Sequence, residues 1–284
     1  MKIETDSETE KKLIKLSDRV KDAQANYDRT LATIETILSK ERGYISKVPV
    51  YENNEDVVVM CSGGLDSSVM LDLLIEEWNV RINPLFFKRG SRNEKYEEEA
   101  FDFFIDYYKE KYPKNIGEVA KLSYEIPPKQ LKENFPKEYV LSIGHPLRNS
   151  TMQNLAVMYA VTLSEKLGHN VRTIFTGSIG EDRKEPELGI LSLRSQTLMT
   201  CISMADWEWQ ITSPLTDWEL REKPIYKLDL IERAVAKNIP LDKTRTCFSS
   251  EEIADGTCYA CKLRLEAFNY LGIKDPVKYK NYPI

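Results

Sequence analysis

The stretch Val57-Val58-Val59-Met60-Cys61-Ser62-Gly63-Gly64-Leu65-Asp66-Ser67-Ser68, running straight into Val69-Met70-Leu71-Asp72-Leu73-Leu74-Ile75, decides how this chain is read. A charge-free β-branched run is the pattern of a buried strand, the Ser/Gly cluster that of a tight turn, and the apolar residues beyond recur at helical spacing. The first amides of such a helix lack partners and its dipole favours negative charge. Gly63 and Gly64 carry no side chain to keep a ligand off the backbone. The geometry is that of an anion site, with phosphate its natural guest. No Gly-x-x-x-x-Gly-Lys-Ser/Thr occurs, which excludes the lysine-bearing P-loop, and two adjacent glycines do not make the dinucleotide fingerprint.

Outward from that turn, 284 residues, 42% hydrophobic and 30% charged, suffice to bury one substantial core with small attachments. Forty basic against 45 acidic residues give a formal charge of −5, which weighs against a nucleic-acid partner while leaving room for a local basic patch. The start, Met1-Lys2-Ile3-Glu4-Thr5-Asp6, is polar and acidic, and neither a membrane-spanning apolar run nor a signal-peptide pattern occurs. A cytoplasmic protein without a membrane partner is expected. Five cysteines, three crowded near the C-terminus, point to metal rather than disulfides.

Residues 8–39 contain no Gly or Pro, and Leu13, Leu16, Val20, Ala23, Tyr27, Leu31, Ile34 and Leu38 recur at helical spacing, an amphipathic helix. Two uses fit it equally: a contact with a partner protein or second copy, and a helix laid across the domain's own surface. Beyond Gly43 and Pro49 the pattern alternates. It predicts a helix to about Trp78, a strand over 81–87, an acidic helix over 96–111 and a strand over 120–126 ended by Pro127-Pro128. Then follow a helix over 150–168, a strand over 171–176, a helix over 193–204, a strand over 210–213 and a helix over 224–237. This alternation predicts an α/β fold, a parallel sheet covered by helices, with ligands at the strand C-termini. Three regions result: an N-terminal helical extension (1–50), a phosphate-loop domain (51–240) and a C-terminal cysteine-rich segment (241–284).

Other strand ends are candidates for the same pocket. Lys88-Arg89-Gly90-Ser91-Arg92 follows the second strand, and its cations suit a phosphate or carboxylate as well as they suit a solvated turn. Thr176-Gly177-Ser178-Ile179-Gly180-Glu181-Asp182 follows the fourth, with glycines for backbone approach and two carboxylates to orient a nucleophile or magnesium; an exposed turn would read the same way. In His145-Pro146-Leu147-Arg148-Asn149, Asn149 or Ser150 is the expected N-cap, and Arg148 is placed to address a phosphate. Cys247, Cys258 and Cys261 form three quarters of a tetrahedral zinc site. Asp255, a water and Cys201 compete for the fourth position, against three unpaired buried cysteines.

Ser62-Gly63-Gly64-Leu65-Asp66-Ser67 resembles the PP-loop signature Ser-Gly-Gly-x-Asp-Ser of the ATP pyrophosphatases, which hold the β- and γ-phosphates there and cleave ATP between its α- and β-phosphates. Over about residues 55–276 the chain resembles the 7-cyano-7-deazaguanine synthase family, QueC. That resemblance is carried also by Pro146, Arg148 and Asn149, by Ser213-Pro214-Leu215, by Thr246-Cys247, by Cys258-Tyr259-Ala260-Cys261-Lys262-Leu263-Arg264 and by Gly272-Ile273-Lys274-Asp275-Pro276. It implies an adenine nucleotide alpha hydrolase-like fold with a small C-terminal zinc segment. The candidate nucleotide site, from the resemblance and the strand ends together, is Ser62, Gly63, Gly64, Leu65, Asp66, Ser67, Ser68, Arg89, Arg148, Asn149 and Gly177, with Asp66 and Arg148 the catalytic candidates. ATP, Mg²⁺ and Zn²⁺ are the implied cofactors, with Zn²⁺ on Cys247, Asp255, Cys258 and Cys261.

The implied reaction is attack by a carboxylate on the α-phosphorus of ATP, followed by capture of the acyl adenylate by ammonia or an amine. In the family the acid is 7-carboxy-7-deazaguanine, and dimers are common. The departures lie in the substrate-facing segments. Lys88-Arg89-Gly90-Ser91-Arg92-Asn93 replaces Asp-Tyr-Gly-Gln-Arg-His, Glu181-Asp182-Arg183-Lys184-Glu185-Pro186 differs after the fourth strand, and Asp255 stands for the second zinc cysteine. The N-terminal helix is an addition. Relatives in antiphage defence that join a deazaguanine to protein are therefore a second reading. A PP-loop tRNA-modifying enzyme and a nucleotide-binding subunit without turnover are others.

Overall fold

The computed structural model describes residues 8, 11–12, 25–50, 55–136, 145–183 and 185–282. After α1 (Tyr27–Arg42), strands and helices alternate: β1 (Val57–Met60), α2 (Leu65–Trp78), β2 (Ile82–Lys88), α3 (Glu94–Lys111), β3 (Ala120–Ser123), α4 (Arg148–Leu167), β4 (Thr173–Phe175), α5 (Ile190–Met204), β5 (Gln210–Thr212), α6 (Lys227–Ala236) and α7 (Tyr259–Tyr270). The five strands form one parallel sheet in the order β3-β2-β1-β4-β5. Val57 lies opposite both Ile82 and Thr173, which makes β1 the centre.

Both faces of the central strands are buried, so β1, β2 and β4 read as mostly apolar runs, whereas the edge strand β3 alternates between half-buried and exposed residues. Val57, Val59 and Phe86 pack with α2, α3 and α6 on one face; Val58, Leu85, Phe87, Ile174 and Ile211 pack with α4 and α5 on the other. Each such fully buried side chain contributes about 1.5–3 kcal/mol. Pro84 is tolerated inside β2 because its missing N–H falls in a gap of the ladder. There the Asn83 Oδ1 accepts instead from the Glu118 amide at 2.8 Å.

Of the two uses open to the N-terminal helix, its described half takes the intramolecular one. Tyr27 and Leu31 pack on Ile190, and Glu35 reaches the buried Arg194, which is held bidentately by Asp217 at 2.7 Å. Leu13, Leu16, Val20 and Ala23 lie outside the described residues. No helix among the described residues is long and apolar enough to cross a membrane.

Several boundaries differ from expectation. The N-cap is neither Asn149 nor Ser150: α4 begins at Arg148, after Leu147 in a left-handed turn at φ 56°. The strand expected over 120–126 ends at Ser123. The helix expected from residue 224 starts at Lys227, because the Tyr226 N–H donates to Asp229 Oδ2 at 2.7 Å and closes the turn there.

Candidate functional site

β1 neighbours β2 on one side and β4 on the other, so the connections leaving its C-terminal edge diverge and open a crevice. A cavity of about 390 Å³ lies there, lined from the glycine turn, the end of β2, the first turns of α4, the residues after β4, and Phe248.

The turn is held by its own side chains. The Ser62 N–H donates to Ser67 Oγ at 3.2 Å and the Gly64 N–H to Ser62 Oγ at 3.3 Å, while the first bond of α2 runs from the Ser68 N–H to the Gly64 carbonyl at 3.0 Å. The amides preceding that bond form the anion-receptive end of the helix. Gly63 sits at φ +70°, and a Cβ there would lie 2.5 Å from the Glu97 carbonyl oxygen and 2.6 Å from the Phe101 nitrogen. Backbone packing, as well as conformation, demands glycine.

Ser62, Gly64, Asp66, Ser67, Arg89, Arg148, Asn149 and Gly177 come together on the cavity wall, whereas Gly63, Leu65 and Ser68 are buried behind it. Of the cations after β2, Arg89 alone lines the cavity, paired with Glu97 at 3.2 Å, while Lys88 turns to Glu98 at 2.8 Å. Arg148 Nε is buried without a partner among the described residues. Burial and then the charge of Arg89 lower the Arg148 pKa, which marks the spot as one that would welcome an anion. Glu181 is diverted to the Lys227 amide at 3.1 Å, leaving Asp182 as the carboxylate on the wall. Burial, reinforced by the charge of Asp66 and opposed by the Ile179 N–H, pushes Asp182 up to about 6. Cys61 also lines the cavity, and burial raises its thiol far above the ordinary range, so it is no ready nucleophile.

The structure adds residues that the pattern did not single out. Lys227 Nζ contacts both Asp66 oxygens at 2.9 and 3.0 Å, and is itself buried. A lysine in a helix's first turn opposes the dipole, and that was the available signal. Glu97, Gln153 and Phe248 also line the cavity without any such local mark.

In the C-terminal segment the ligand atoms of Cys247, Asp255, Cys258 and Cys261 all lie within 4.8 Å of one another. The tetrahedral edge around a zinc ion with thiolate ligands is about 3.8 Å, so the donor set fits zinc in kind and spacing. Hydrogen bonds with the Cys258 and Cys261 thiols lower Cys247 below the ordinary thiol range, while the bonds with Cys247 and Cys258 raise Cys261. The Asp255 carboxylate is the fourth group within that span. Cys201 does not compete, being buried beside β5 with its thiol on the Trp209 carbonyl at 3.4 Å.

Fold and turn together define a class: a parallel α/β protein with a glycine turn and an anion-receptive helix end at the C-terminal edge of its central strand. The family model described as "Queuosine biosynthesis protein QueC" matches residues 56–272, and the chain belongs to that family. It is 29% identical over 240 residues to the 7-cyano-7-deazaguanine synthase of Thermoplasma volcanium, covering 80% of this chain and 91% of that one. With the 7-cyano-7-deazaguanine synthase of Nautilia profundicola it shares 30% over 236 residues, 78% and 97% of the two chains. Among solved structures, NMN synthetase from Francisella tularensis aligns with a TM-score of 0.42 at 13% identity, covering 87% of each chain.

Proposed function

We propose that the chain is an ATP-dependent, AMP- and pyrophosphate-forming ligase that adenylates the carboxylate of 7-carboxy-7-deazaguanine or a close analogue. A carboxylate oxygen bonds to the α-phosphorus, the bond to the bridging oxygen of pyrophosphate breaks, and pyrophosphate leaves with the electron pair. Ammonia or an amine then takes the acyl carbon and AMP departs. One observation carries this reading: the anion-receptive amides of the turn and the Arg148 guanidinium, whose buried Nε has no partner among the described residues, share one cavity. One suits pyrophosphate, the other the carboxylate or α-phosphate. With Cys61 held protonated, the site favours positioning and electrostatics over covalent catalysis.

The residues have separate tasks. Ser62, Gly64 and Ser67, with the amides of Leu65 and Asp66, grip the phosphates. Arg89 and Arg148 bind the carboxylate and neutralise charge, and Asn149 and Gly177 border the nucleotide. Lys227 holds Asp66 in place. Asp66 and Asp182 would hold Mg²⁺, which when bound neutralises the departing pyrophosphate. Cys247, Asp255, Cys258 and Cys261 would hold a structural Zn²⁺. A cytoplasmic homodimer without a membrane partner is the assembly that goes with this reading.

The test measures AMP and pyrophosphate from ATP with 7-carboxy-7-deazaguanine, offering ammonia, a protein N-terminus or tRNA as acceptor, in wild type and Asp66→Ala. AMP formation that needs the deazaguanine and falls in the variant upholds the proposal. Dependence on tRNA instead would overturn it, and a protein N-terminus as the preferred acceptor would move the chain to the defence branch.

A further inference from the structure

The wall that carries Phe248 belongs to the cysteine segment, and that segment is fastened to the phosphate loop itself. The Arg245 N–H donates to the Gly63 carbonyl at 2.9 Å, while the other side of Gly63 is pressed on the Glu97 and Phe101 backbone of α3. The loop is therefore held between a helix and the residues leading into Cys247. The Arg245 side chain turns the other way. Its guanidinium donates to the carbonyls of Ser249, Glu251 and Glu252 at 2.7, 2.7 and 2.9 Å and lies 4.8 Å over the Tyr96 ring of α3.

Those carbonyls belong to the irregular run between Cys247 and Asp255, which has no ladder of its own to satisfy them. A second tie comes from Asn93, whose Nδ2 donates to the Cys247 carbonyl at 3.0 Å and to Glu97 Oε1 at 2.9 Å. Glu97 in turn pairs with Arg89 on the cavity wall. Phe248, 56% exposed, hangs from this run beside the anion site.

Arg245 thus grips the phosphate loop through its main chain and the metal-ligand loop through its side chain. We propose that Arg245 is a positioning residue of the nucleotide site, through which a metal at the cysteine cluster and a triphosphate at the loop strengthen each other's binding. This deepens the adenylation reading and rests on it. The cause is ordering. Fixing the run 247–255 costs chain entropy, and a metal that ties Cys247 and Asp255 to α7 supplies the order the nucleotide would otherwise have to impose. Linkage makes the effect reciprocal: whatever factor metal adds to nucleotide affinity, nucleotide adds to metal affinity.

The test titrates the full chain with α,β-methylene-ATP and Mg²⁺ by calorimetry, zinc-loaded and chelator-stripped, with circular dichroism following the fold. Stripping is expected to raise the Kd of the analogue by roughly 5- to 150-fold, zinc re-addition to restore it, and the analogue to tighten zinc by the same factor. Arg245→Met keeps the backbone N–H but loses the carbonyl contacts. It is expected to weaken zinc binding on the order of 10- to 100-fold and to abolish the coupling, with Arg245→Lys recovering part. Equal analogue affinity with and without zinc in folded protein, or undiminished coupling in Arg245→Met, overturns the proposal. If stripping unfolds the chain, zinc-saturated wild type and zinc-saturated Arg245→Met decide: weaker analogue binding by the variant upholds it, and equal binding overturns it. Failure of zinc-loaded wild type to bind the analogue at all strikes the nucleotide reading instead.

Discussion

The two walls of the cleft are built by opposite means. The phosphate loop, bridged internally by the Ser62 and Ser67 hydroxyls, is clamped to the rest of the fold by backbone: β1 leads in, α2 leads out, and Gly63 touches main-chain atoms of α3 and Arg245. The cysteine segment owns one long helix, α7, and hangs instead on side chains. Arg264 holds Asp275 bidentately at 2.7 and 2.9 Å, Arg245 gathers three carbonyls, and three thiols converge with Asp255. The first wall should therefore resist loss of a side chain and fail on a change of backbone. The second should do the reverse.

The largest effect should come from the second wall. Arg264 and Asp275 are almost wholly buried, so Arg264→Met strands a buried carboxylate and is expected to cost about 3–5 kcal/mol in urea unfolding. A loss under about 1 kcal/mol, the range of an exposed ion pair, would break the contrast.

Next comes the first wall, where Gly63→Ala meets both φ +70° and a backbone clash. The expected cost is about 1–3 kcal/mol together with loss of nucleotide binding. Gly43→Ala sharpens this, since Gly43 has φ +80° but open space; it should cost about 1 kcal/mol and leave nucleotide binding intact. Similar nucleotide affinities in the two variants would show that backbone packing is not what matters.

Lys227→Met leaves Asp66 without its partner. With the carboxylate partly screened, a loss of about 1 kcal/mol in thermal melts is expected, accompanied by weaker binding of ATP. Unchanged binding would confine the pair to a structural role.

The last effect depends on pH. The Asp182 carboxyl titrates at about 6 in the fold against an ordinary 3.8, so ionising it costs stability. That cost is absent below the lower value and complete above the higher one. Asp182→Asn should raise the Tm near pH 8 and leave it unchanged near pH 4; a Tm gain independent of pH would contradict the assignment.

How much of this was legible in the sequence follows the same divide. The parallel sheet and the loop were readable because their signals are local: a β-branched run, two glycines, a helical stripe. The gathering of the three C-terminal cysteines was readable from their spacing, yet spacing alone did not say whether Asp255, Cys201 or a water would stand beside them. The N-cap of α4 was misplaced because Leu147 adopts a left-handed turn that no residue preference announces. Lys227 meets Asp66 across 161 positions and Asn93 meets Cys247 across 154, contacts that only the folded topology creates. Phe248 and Arg245 were invisible as site residues for the same reason.

The central claim is that a carboxylate oxygen attacks the α-phosphorus of ATP bound at this loop. It is tested most directly by supplying 7-carboxy-7-deazaguanine with heavy oxygen in its carboxylate and analysing the products by mass spectrometry. Heavy oxygen is expected in AMP and none in pyrophosphate. Unlabelled AMP, or release of ADP and phosphate, would contradict it.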